Sequence, residues 1–173
     1  MKLFCMNLLC LFFISGCAGG TYKQVEGDKT AKLRYLNKSK ASVHVFIYDN
    51  NKCENPAHVG LLGNAKYLWG DDVVRRGMPL AGTENVKPTF LEEVIIEAGK
   101  PNVSYLQNFG FSQMVCSFTV SFIPEEKGLY EMIYSEGVTK CFLQLYKLVR
   151  NSSGEYMRVS VPSFRNDIQQ CRH

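Results

Sequence analysis

The sequence predicts an all-β fold, a β-sandwich held by disulfides, and three observations carry that expectation. Short runs of β-branched and aromatic residues recur along the chain, the clearest being VCSFTVSFI over 115–123, where apolar and small polar residues alternate. Gly, Pro and Asn punctuate the chain at short intervals, and helical periodicity is nearly absent. Of 173 residues, 46% are hydrophobic, 21% charged and 12% aromatic, which suits one globular domain and excludes a fibrous, low-complexity or polytopic membrane protein.

The first element is a targeting segment. Met1 and Lys2 form a short positive head, and Leu3 to Ile14 is apolar apart from Asn7. A helix of that length covers about 18 Å, well short of the ~30 Å hydrocarbon core, so it reads as the apolar region of a signal peptide and not as a permanent span. Ile14-Ser15-Gly16-Cys17 follows: an aliphatic residue, two small residues and a cysteine. This tetrapeptide resembles the lipobox of bacterial lipoproteins. The resemblance implies that Cys17 carries a diacylglycerol thioether, that the bond before it is cut, and that the new amino group takes an acyl chain such as palmitate. No other cofactor and no metal is expected. By the sorting rule of the family that the tetrapeptide resembles, in which Asp at the second position marks retention at the inner membrane, Ala18 implies the outer membrane. The competing reading is an ordinary secretory signal cut near Ala18.

On this reading residues 1–16 are a signal peptide, 17–30 a lipidated flexible tether rich in Gly, and 31–173 a single β-sandwich domain. The mature chain of 157 residues is long enough to bury roughly 68–70% of its unfolded surface around one core. Its charge falls from +4 to +3, because Lys2 is the only charged residue removed. That balance is too weak and too interspersed to indicate nucleic acid as a partner. Six basic residues (Lys23, Lys29, Lys32, Arg34, Lys38, Lys40) stand near the anchor, either as a solvated linker and edge strand or as a patch against anionic headgroups.

Residues 41–49 (ASVHVFIYD) read as a largely buried strand, with His44 a packed or half-exposed strand residue and not a catalytic base. Residues 53–90 lack a sustained period and carry five Gly and three Pro; such a stretch is either functional or hides short strands. Within it the sole tryptophan, Trp69, precedes Asp71, Asp72, Arg75 and Arg76, an aromatic group beside mixed charges that suits a recognition surface. The alternative is that Trp69 plugs one end of the core. Residues 89–97 and 103–107 read as strands, with Glu92 and Glu93 on opposite faces and therefore a poor acid–base pair.

The run over 115–123 puts Cys116, Phe118, Val120 and Phe122 on one face. Pro124 to Gly128 supplies a turn, 129–134 a hairpin partner, and 139–149 a third strand of a meander. Residues 156–161 give a last strand, and 163–170 one or two helical turns. About seven strands at this spacing point to an immunoglobulin-like or prealbumin-like sandwich. The region from Cys116 to Cys141 also resembles small, uncharacterised proteobacterial envelope lipoproteins, in architecture only.

Of seven cysteines, Cys5 and Cys10 leave with the signal and Cys17 takes lipid, so Cys53, Cys116, Cys141 and Cys171 remain for two disulfides with three possible connectivities. The preferred pairing is Cys116 with Cys141 and Cys53 with Cys171. Cys116 and Cys141 then open the first and third strands of the meander. There they meet only if the chain bends, since alternate strands of a flat sheet are about 9.6 Å apart and a disulfide needs less than ~7 Å. No cysteine spacing or histidine pattern fits zinc.

No nucleophile-elbow, zincin, phosphate-loop or dinucleotide motif is present. The expected function is therefore a non-enzymatic, lipid-anchored module of the cell envelope that binds another envelope protein as part of an assembly. The alternative is a periplasmic inhibitor or immunity protein that blocks a wall-degrading enzyme with the loop in 53–90.

Overall fold

The computed structural model describes residues 20–49, 53–64, 75–81, 87–109 and 114–166. Nine strands account for most of them: β1 Thr30–Asn37, β2 Ser42–Tyr48, β3 Ala57–Leu62, β4 Leu91–Glu97, β5 Asn102–Phe109, β6 Ser117–Phe122, β7 Leu129–Glu136, β8 Cys141–Arg150 and β9 Tyr156–Ser160. They form two sheets, one ordered β4-β1-β7-β8-β9 and the other β3-β2-β5-β6. All pairings between these strands are antiparallel except β1 with β7. The sheets pack face to face as a β-sandwich.

Period-two alternation selects the faces that meet. Leu33 and Tyr35 of β1, Val43, Val45 and Ile47 of β2, Val94 and Ile96 of β4, Leu106 of β5, Val120 and Phe122 of β6 and Tyr130, Met132 and Tyr134 of β7 form one buried cluster. Tyr35 reaches across the core from β1 to β5, where its hydroxyl lies 2.7 Å from Ser104 Oγ. An immunoglobulin sandwich keeps its first two strands in one sheet. Here β1 and β2 lie in different sheets, and β1 is central between β4 and β7. The prealbumin-like alternative is the one present, extended by β9.

Four expectations meet the structure, and three of them are corrected. First, β6 and β7 are not a hairpin: they belong to opposite sheets, and the connection 123–128 crosses between them. Phe122 faces Tyr130 at 5.0 Å between ring centroids, and Phe118 meets Tyr134 edge-on at 6.2 Å. Second, β1 is an interior strand and not a linker or edge. Third, the reading that the stretch 53–90 hides short strands is borne out by β3. Fourth, 163–166 are not helical; Arg165 instead forms a single antiparallel bridge to Ser121, while 167–173 lie outside the described residues.

The tether expectation also changes from Gly20 onward. Gly20 O accepts from His58 N, Tyr22 N donates to His58 O, both at 2.8 Å, and the Tyr22 hydroxyl donates to Ile95 O at 2.8 Å. Gln24 Oε1 accepts from Ile95 N at 2.6 Å. The segment thus closes the open side between the β3 and β4 edges. Among the described residues no helix is long and apolar enough to cross a membrane.

Candidate functional site

The outward face of the five-stranded sheet carries a buried ionic network. Alternation along β1 turns Leu33 and Tyr35 inward and Arg34 outward, and register sets Glu93 of β4 and Glu131 of β7 directly opposite Arg34. Arg34 Nη2 and Nε lie 2.7 and 3.0 Å from Glu93 Oε1, and Nη1 lies 3.1 Å from Glu131 Oε1. The two remaining guanidinium protons go to the carbonyls of Met78 (2.7 Å) and Pro79 (3.0 Å), so all five donors are used. Arg34, Glu93 and Glu131 are at most 2% exposed.

The carboxylates extend the network. Glu93 Oε2 accepts from the backbone N–H of Arg76 and of Met78, and Glu131 Oε2 accepts from Arg158 Nε of β9 at 2.5 Å. Lys32 Nζ donates to Arg76 O at 2.6 Å. Two cations, the buried Arg34 and the partly exposed Arg158, balance two buried anions, which is the condition under which buried charge is tolerated.

The result is a strap, residues 75–81, fastened across the sheet by its backbone. Met78 and Ala81 pack beneath it against Leu148, Leu129 and Tyr156. Arg75, Arg76 and Leu80 face outward. Of the expected recognition surface, Arg75 and Arg76 therefore lie on a fixed, exposed segment, while Trp69, Asp71 and Asp72 fall outside the described residues. The basic patch near the anchor loses Arg34, which is buried and paired. Arg34, Glu93 and Glu131 carry no local motif; their only sequence signal is a charge at an alternating position in a run that otherwise reads as a strand.

The second feature is the end of the sandwich where β1 terminates. There Cys116, just before β6, is bonded to Cys141 at the start of β8, with Cα atoms 6.3 Å apart. The bridge joins the two sheets, so its reach is set by their separation and not by a bend within one sheet. Asn108 rivets the same end: its Oδ1 accepts from Cys116 N (2.7 Å) and its Nδ2 donates to Met114 O (2.9 Å) and Glu136 Oε1 (2.7 Å). The Tyr134 hydroxyl donates to Glu136 Oε1 at 2.8 Å, and burial, reinforced by that carboxylate, pushes the phenol well above its ordinary pKa.

An open cleft at this end is lined by Met114–Phe118 and Thr139–Cys141. Val138 is 98% exposed, Val115 81% and Phe142 40%, and the Lys140 ammonium sits 5.0 Å over the Phe142 ring. Isolated exposed apolar residues are ordinary, but three beside one cleft form a surface with recognition character.

Cys53 is also disulfide-bonded, and its partner lies outside the described residues, as do Cys17 and Cys171. His44 is a half-buried strand residue beside His58, with which it shares a 3.2 Å nitrogen–nitrogen contact. Among the described residues no group of three or more His, Cys, Asp and Glu is arranged to hold a metal. A scan against protein-family models and a search of curated proteins each returned no match.

Proposed function

We propose that this chain is a lipid-anchored protein of the bacterial envelope, held in the outer membrane through Cys17, and that it binds another envelope protein and performs no catalysis. The observation that carries the reading is the apolar and basic tip formed by Val115, Val138, Phe142 and Lys140 at one end of the sandwich. The chain enters at the opposite end, where Gly20 and Tyr22 bond to His58 near the start of β3. Eight-residue strands such as β5 set the two ends about 26 Å apart. Two residues, Ala18 and Gly19, separate Cys17 from Gly20, and the three steps between them span at most about 11 Å. A lipid on Cys17 therefore holds the entry end at the bilayer and projects the tip away from it.

The reading is tested in cells with a photoreactive residue at Val138, or at Ser152 in the turn at the opposite end. A single discrete crosslinked product from 138 and none from 152 is expected. Cys17→Ala is expected to abolish palmitate incorporation, detergent-phase partitioning and the crosslink together. Normal palmitate incorporation in Cys17→Ala removes the anchor, and equal or absent crosslinking at both positions removes the tip. The strap favours a second reading, an inhibitor of a wall-degrading enzyme, because a loop fixed by buried ion pairs loses little freedom on binding. Direct inhibition of a peptidoglycan hydrolase by the purified protein would favour it over the first.

A further inference from the structure

The hairpin of β2 and β3 contains a one-residue shift in register between Val45 and Phe46. Val45 stands opposite Gly60 and Phe46 opposite His58, which makes Val59 the extra residue. Without the shift His58 would pair with Ile47, a core residue, and its ring would face inward. With it His58 shares the outward face of Phe46 and His44, and Val59 packs against the core instead. Bulges of this kind re-aim single side chains.

The re-aimed ring meets His44 with Nδ1 of His44 3.2 Å from Nε2 of His58. Phe109 stacks on His44 at 4.4 Å between centroids, and Phe46 lies 5.0 Å from His58. The entering chain holds the backbone of His58 from the other side, through Gly20 O and Tyr22 N. Both imidazoles are thus held by neighbours, half-buried, and within hydrogen-bonding distance of each other, the tautomer deciding which nitrogen donates.

That separation is also the one a shared metal requires. Two nitrogens each 2.0–2.1 Å from one ion lie about 2.9 Å apart at a right angle and about 3.4 Å apart at the tetrahedral angle. Neutral imidazole suits the late first-row dications, and for a given nitrogen site copper(II) binds tightest. We propose that His44 and His58 form a two-imidazole site for such a dication, copper(II) above all, with water completing its coordination. The site is independent of the lipid anchor and of the tip.

The test uses the full chain in detergent, without a histidine tag and with free thiols alkylated, titrated with copper(II). One saturable ion per chain is expected, with two-nitrogen hyperfine structure in its electron paramagnetic resonance spectrum. His44→Gln and His58→Gln should each weaken binding about tenfold or more and remove one nitrogen, while His173→Gln leaves both readouts unchanged. In the unsubstituted protein copper(II) should also protect His44 and His58, and not His173, from diethyl pyrocarbonate. That readout stands even if a glutamine variant misfolds. Binding that survives both substitutions, or histidines that label equally with and without metal, overturns the proposal.

Discussion

Arg34 sits in KLRYL, where nothing local separates it from Lys32, yet one is buried and the other donates to an exposed backbone carbonyl. Both lie on the outward face of β1, two residues apart, so the difference is position along the strand: Lys32 stands opposite Ile95 and Leu129, whereas Arg34 stands between Glu93 and Glu131 beneath the strap. Replacing Arg34 with Met keeps the bulk and leaves Glu93 and Glu131 without their shared cation in a dry site. Equilibrium urea unfolding of Arg34→Met should show a loss of about 3–5 kcal/mol. The Met78 and Pro79 carbonyls also lose their donors, so trypsin should cut at Arg75 and Arg76 faster than in the unsubstituted protein. A loss below about 1 kcal/mol with unchanged cleavage would mean that the strap is held by Met78 and Ala81 packing alone.

At the level of elements, the inter-sheet ladder formed by Cys116–Cys141, Phe118–Tyr134 and Phe122–Tyr130 decides how the two sheets register. The disulfide closes a loop with a sequence separation of 25, which by chain entropy stabilises the fold by about 3.5 kcal/mol. The double variant Cys116→Ser/Cys141→Ser should lose most of that in urea unfolding; an unchanged midpoint would assign the registration to the aromatic pairs. The strands of this region were legible because the run over 115–123 alternates cleanly and turn residues bound the two runs after it, and the cysteine pairing was legible because both residues open strands at one end. Their assignment to opposite sheets was not, since a six-residue connection containing Pro124 and Gly128 reads the same whether it turns back or crosses over. The strand β3 was hidden for a related reason. Pro56 and Gly60 resemble turn chemistry, but Gly60 lies within β3, opposite Val45 of β2. His58 was illegible as a partner of His44 because only the bulge reverses its face.

Across the whole molecule the core stores its polarity in tyrosine hydroxyls, and this makes stability depend on alkaline pH. Burial raises the pKa of Tyr35 far above the ordinary phenol value, and Tyr35 is fully buried between the sheets. Burial, with a smaller contribution from Asp49, pushes Tyr22 up to about 12 where the entering chain closes the sandwich. Tyr134 at the tip is raised by burial and by Glu136. In the unfolded chain these phenols release their protons near pH 10, whereas the folded protein keeps them. The folded state then binds more protons than the unfolded state, so stability is full below pH 10 and falls as pH rises above it, for Tyr22 through the window from 10 to about 12. For Tyr35 the slope is about 1.4 kcal/mol per pH unit. Tyrosinate absorbance followed with the β-sheet circular dichroism signal should therefore separate the nine tyrosines into an early group that ionises in the folded protein and a late group that ionises only as the sheets are lost. Tyr35→Phe should reduce the alkaline slope at the cost of the 2.7 Å bond to Ser104. Ionisation of all nine in one ordinary transition, with the sheet signal intact, would show that the hydroxyls between the sheets are open to solvent and that the sandwich breathes well below its unfolding point.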